Sequence, residues 1–179
     1  ALAIDALGAL DVSERAGLHL ILTGDAQGRE KYVRELEDKI IAHELGGTVS
    51  IVGHTSDMAA ADARADIVLA PSTRPDAFGR VAAEASAMAK PVIVADHGGQ
   101  RETVIEGETG TRAEPGSITA LTACIRTLVS LRPEARTYMG QAGQAHVREH
   151  YSKKQLQTAT LGVYARLLLN NESVEKLAN

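Results

Sequence analysis

Four short, mostly apolar runs, each cut off by turn-forming residues, constrain this chain more than any other feature. LHLIL (18–22) ends in TGD, VSIV (49–52) in Gly53, IVLA (67–70) in Pro71-Ser72 and VIVA (92–95) in DHGG. Runs this short and this rich in β-branched residues read as parallel strands covered on both faces. Helix-like stretches lie between them, near 28–45, 57–65, 79–89 and 99–105. The alternation predicts an α/β domain: a Rossmann-like parallel sheet with helices on both faces.

After residue 116 the pattern turns helical. Ser117 is placed to cap a helix carrying Leu121, Ile125 and Leu128, and Pro133 to open another at its first position. A closing helix is expected over 152–170, with Leu156, Leu161, Tyr164 and Leu168 as candidate buried positions. The sequence shows no internal repeat and no linker, so its 179 residues read as one lobe.

Composition removes several function classes. The net charge is -4 with no basic block, and Trp is absent, so nucleic-acid binding has neither an electrostatic footprint nor stacking platforms. The single cysteine, Cys124, excludes an intrachain disulfide and suits a reducing compartment; a cytoplasmic location is expected. No apolar run approaches the ~18 residues that a membrane span requires. The chain lacks an initiator Met and opens in helical periodicity, and is expected to be a fragment of something longer.

In open α/β sheets, ligands collect beyond the carboxyl ends of the strands. The segments there are 23–25, 53–55, 71–79 and 96–101. The third runs into a helix as PSTRPDAFGRVAAE (71–84), with Asp76 and Glu84 eight positions apart. A helix starting near Phe78 or Gly79 would leave the amides of Gly79, Arg80 and Val81 without intrahelical acceptors, ready for an anion. Val81, Ala85 and Met88 would form the apolar stripe, with Glu84 on its flank, partly buried and in want of a partner. A ribose would supply one, since a carboxylate accepts two hydrogen bonds side by side. Residue chemistry alone leaves two readings open: a capped helix with a solvated glutamate, or a grip on a nucleotide-sugar.

The stretch from 71 to 110 resembles the donor-binding lobe of retaining glycosyltransferases of the GT-B fold, the family 4 or group 1 glycosyltransferases. The residues that carry the likeness are Pro71-Ser72, Asp76, Phe78-Gly79, Glu84, Pro91-Val92-Ile93, Gly98-Gly99 and Glu102. Weaker likeness covers TGD (23–25), VGH (52–54), ETGTRAEPGS (108–117) as a Gly-rich turn and Pro-Gly step, and HYS (150–152). The resemblance implies the C-terminal lobe of a GT-B fold that binds a nucleotide-diphospho-sugar and needs no metal or other cofactor. It implies that Glu84 holds the ribose and that Gly53 and His54 lie at the base. Asp76, as catalytic residue, would stand with Phe78 and Gly79 at the transferred sugar and distal phosphate, the Arg80 and Val81 amides beside them. The family favours Glu where this chain has Asp76.

The family's basic diphosphate clamp and its acceptor lobe would precede these residues. The resemblance therefore implies a donor-binding half, inactive alone, of an enzyme acting on an acceptor sugar or lipid-linked glycan. Peripheral membrane association of the full protein is also implied. Alternatives are a non-catalytic nucleotide-binding module or a GT-B-fold sugar-nucleotide epimerase. HVREH (146–150) has the H-x-x-E-H spacing of a zinc helix. Without a third ligand nearby, it is read as a helix end whose histidines suit the dipole. His97, Arg74, Arg101, Ser72 and Thr23 are candidate cleft residues with equally good structural readings.

Overall fold

The computed structural model describes residues 1–175. Their elements run α1 (Leu2–Gly8), α2 (Val12–Arg15), β1 (Leu20–Thr23), α3 (Glu30–Ala42), β2 (Val49–Val52), α4 (Met58–Arg64) and β3 (Val68–Ala70). They continue as α5 (Arg80–Ala87), β4 (Val92–Ala95), α6 (Gln100–Thr103), β5 (Gly110–Ala113), α7 (Ile118–Ser130), α8 (Pro133–His150) and α9 (Lys153–Glu175). Every strand pairing is parallel. β1 pairs with β2, and β4 lies between β3 and β5, so the expected sheet is hydrogen-bonded as two, one of two strands and one of three.

Strand β4 shows why an uninterrupted apolar run was informative. Its side chains alternate faces, and both faces are covered. Ile93 joins a core cluster with Leu7 of α1 and with Leu121 and Leu128 of α7. Val92 and Val94 join a second cluster with Ala82 and Ala85 of α5. All four β4 residues are buried.

The first ladder differs from expectation. β1 and β2 are covered on one face only: Leu20, Leu22 and Val49 pack on the core, while on the other face Ile21 is 58% and Val52 41% exposed. The helix leading out of this ladder, α4, is short, alanine-rich and packed on α5, so it offers little to cover them.

Helix α5 approaches α8 closely because both present small residues. A side chain at Gly140 would run into the Ala89 carbonyl, and Gly143 faces Ser86. The caps follow the sequence: Ser117 Oγ accepts from the Ala120 N–H at 3.2 Å, and Pro133 opens α8.

Two expectations fail. Residues 110–113, expected within a Gly-rich turn, form β5, pairing Val92 with Gly110 and Ala95 with Ala113. A side chain at Gly110 would collide with the Val92 carbonyl, so glycine here serves close strand approach. The expected buried face of α9 is also wrong: Leu156, Leu161, Tyr164 and Leu168 are each more than half exposed. The helix forms where periodicity placed it, but nothing among the described residues covers that face.

Candidate functional site

The loops at the carboxyl ends of β3 and β4 are locked together. Gly99 donates its N–H to the Asp76 carbonyl at 2.8 Å. A Cβ on Gly99 would lie 2.5 Å from Phe78 Cα, and one on Gly98, whose φ is +59°, would strike the Asp76 backbone. His97 Nε2 lies 2.9 Å from the Ser72 carbonyl, an arrangement in which that nitrogen carries the proton and donates. Gln100 Nε2 donates to Ser72 Oγ at 3.2 Å. His97 and Ser72 thus have the structural roles that their sequence context allowed.

Asp76 is used differently from expectation. Its Oδ1 accepts the N–H of Phe78 at 2.9 Å and of Gly79 at 2.8 Å. These bonds, Gly79's first and then Phe78's, hold its carboxyl below the ordinary aspartate value. The Gly79 amide is therefore not free for an anion, because the nearer carboxylate has taken it. Arg80 and Val81, the first residues of α5, donate to no acceptor among the described hydrogen bonds. Gly79 itself is buried with φ +77°, and a Cβ there would lie 2.5 Å from Gln100 Cγ.

Glu84 also departs from expectation. It is exposed and makes no ion pair or side-chain hydrogen bond among the described residues. The buried side of α5 is Ala82, Ala83, Ala85 and Ser86, which turns Glu84 outward and leaves Val81 50% exposed. The apolar stripe is shifted because α8 and β4 take the small residues, the only ones that allow so close an approach. Asp62 of α4, which sequence reasoning passed over, is 8% exposed. Its carboxyl is pushed up by burial and then by the charge of Glu84. An aspartate within the alanine run of α4 was the one signal for it.

Around this unit, Arg101 lies 3.3 Å from Asp96, which also faces Arg112 at 3.7 Å. The Phe78 ring meets Tyr151 edge to face, centroids 5.6 Å apart. Gly53 and His54 sit exposed beyond β2, in the other ladder. No hydrogen bond among the described residues joins them to 71–84. Asp76, Phe78, Gly79, Arg80, Val81 and Glu84 thus lie in one segment around the α5 start, while Gly53 and His54 follow β2 of the other sheet.

This all-parallel α/β lobe matches those of solved GT-B glycosyltransferases. The chain superimposes on a glycosyltransferase from Rickettsia africae with a TM-score of 0.85 at 26% identity, covering 93% of this chain and 44% of that one. It superimposes on Anabaena HepE, solved with UDP and glucose, with a TM-score of 0.80 at 31% identity, covering 90% and 44%. The chain belongs to the family described as glycosyl transferases group 1, whose profile its residues 1–146 match. Glycogen synthase of Mycobacterium tuberculosis is 29% identical over 164 residues, 89% of this chain and 38% of that enzyme. The chain thus spans less than half the length of these relatives.

Proposed function

We propose that this lobe binds a nucleotide-diphospho-sugar and serves as the donor-binding half of a retaining, hexosyltransferase-type enzyme. The observation that carries the reading is the start of α5. Among the described residues two adjacent amides, Arg80 and Val81, have no acceptor beside the Asp76 loop, and an exposed Glu84 without a partner there follows one turn later. Free amides at a helix start hold phosphate oxygens, with the helix dipole adding to the attraction. Glu84 then accepts the ribose hydroxyls, Asp76 and Phe78 border the sugar, and Gly53 and His54 receive the base. As the glycosidic bond breaks, the Arg80 and Val81 amides stabilise charge on the departing diphosphate.

HepE, solved with UDP-glucose, makes a UDP-sugar the first donor to try. Binding needs no metal in this reading. The acceptor, a sugar or lipid-linked glycan, would be held by a separate lobe in a cytoplasmic protein associated peripherally with the membrane. These residues alone would bind donor without turnover. One observation favours a non-catalytic module instead: the Asp76 carboxylate is engaged by its own loop.

The test is a titration with UDP, GDP, ADP and their sugars, following backbone amides. Shifts at Arg80, Val81 and Glu84 with one nucleotide series are expected. If none of the three moves with any of them, the donor reading is wrong.

A further inference from the structure

Phe78 is exposed over 41% of its surface, yet it is held from two directions. Gly99 presses against its backbone, leaving no room for a side chain between them. Tyr151 meets its ring at 5.6 Å and 68°, the edge-to-face geometry that aromatic pairs favour. Tyr151 is itself anchored. It caps α8, donating its N–H to the Val147 carbonyl at 2.9 Å, and the His146 ring stands 5.7 Å away at 72°. Its hydroxyl donates to the Glu102 carbonyl of α6 at 2.8 Å. One side chain thus touches the first interlocked loop at Phe78 and, at Glu102, the helix α6 that follows Gly98–Gly99 of the second. Burial, and then the charge of Glu102, pushes the Tyr151 hydroxyl up.

We propose that Tyr151 is a positioning residue for the donor loop, acting through Phe78 and Glu102 to fix the backbone that presents the Arg80 and Val81 amides. The proposal rests on the donor-site reading above. Because Tyr151 lies beyond the segment that would touch ligand, its removal should spare contacts to ribose and base and weaken those to the second phosphate and sugar.

Two measurements on the same chain test it. The first needs no ligand: hydrogen exchange at the Phe78 and Gly79 amides, both bonded to Asp76. Tyr151→Leu is expected to speed that exchange about tenfold, roughly what loss of an aromatic pair allows, without changing exchange in the middle of α8. Tyr151→Phe, which keeps the ring, should show a smaller effect. In a Phe78→Leu background, Tyr151→Leu should add no more than Tyr151→Phe does alone, since only the bond to Glu102 is left to lose. Unchanged exchange at Phe78 and Gly79 in Tyr151→Leu would overturn the proposal.

The second compares whichever of UDP, GDP or ADP binds with its monophosphate. Tyr151→Leu should weaken the diphosphate about tenfold and the monophosphate less than twofold, the difference being the loop's own contacts. Equal losses on both would mean a general structural role and would also overturn it. A wild-type chain that binds neither nucleotide sinks the donor-site reading instead, and exchange alone then decides whether Tyr151 holds the loop.

Discussion

Gly99 donates its backbone N–H to the carbonyl oxygen of Asp76 at 2.8 Å, tying the turn after β4 to the loop after β3. The bond forms only because neither Gly98 nor Gly99 has a side chain to keep the two backbones apart. The geometry of Asp76, Phe78 and Gly79 therefore depends on residues outside their own segment.

Gly99→Ala should be the most damaging small change in the site. Its Cβ would meet Phe78 Cα at 2.5 Å, an overlap with backbone that no rotamer relieves. A loss of about 1–3 kcal/mol is expected from such overpacking, read by urea unfolding, together with loss of nucleotide-induced shifts at Arg80. A stability equal to wild type would show that the loops can separate freely.

Glu84→Ala should behave in the opposite way. With no partner to lose among the described residues, its stability should stay within ~0.5 kcal/mol of wild type. Donor affinity should fall by about tenfold or more, as for a lost hydrogen bond to a charged group. Calorimetric titration beside a thermal melt separates the two effects, and an Ala variant that binds normally removes Glu84 from the site.

Ala89 follows α5 with φ +57°, a left-handed conformation in a residue that has a Cβ. Ala89→Gly relieves strain of about 1–2 kcal/mol, partly offset by the ~0.4–1 kcal/mol of extra chain entropy that glycine brings to the unfolded state. A net gain of up to about 1 kcal/mol is expected, a rise of some 2–4 °C in Tm for a chain of this size. A lower Tm would mean that the turn is not strained.

Acid should loosen the contact between α2 and α7. Arg126 Nη2 donates to Glu14 Oε2 at 2.9 Å. This guanidinium and then the Asp11 N–H hold the Glu14 carboxyl at about 2, against an ordinary 4.5. The unfolded chain takes up the proton at higher pH than the folded one, so this contribution is complete above about pH 4.5 and is lost as pH falls toward about 2. Unfolding at a series of pH values should show a shallower decline over that window in Glu14→Gln than in wild type. Identical slopes would mean the pair contributes nothing.

Strands whose runs were apolar throughout were legible because burial on both faces leaves its mark on every residue, as in VIVA. β5 was not legible: GTRA carries no such mark, and its strand exists because β4 offers it an unpaired edge. Spacing placed Asp76 and Glu84 around a helix start expected near Phe78 or Gly79, and the helix begins just beyond, at Arg80, with Gly79 as its N-cap. It left open whether Asp76 would serve its own loop or a ligand, and the structure shows it turned back on the Gly79 amide, with Glu84 exposed.

Local pattern thus determined the first four strands and the helices between them, the region of the α5 start and the family to which the chain belongs. These follow from periodicity, capping chemistry and residue order, all of which lie within a few neighbours along the chain. Tertiary structure alone decided which faces are covered, leaving Ile21, Glu84 and the apolar face of α9 exposed. It also decided the interlock of Gly98–Gly99 with Asp76 and the reach of Tyr151 from Phe78 to Glu102. Those contacts join segments far apart in sequence, and the close approach that makes them leaves no periodic trace in either partner.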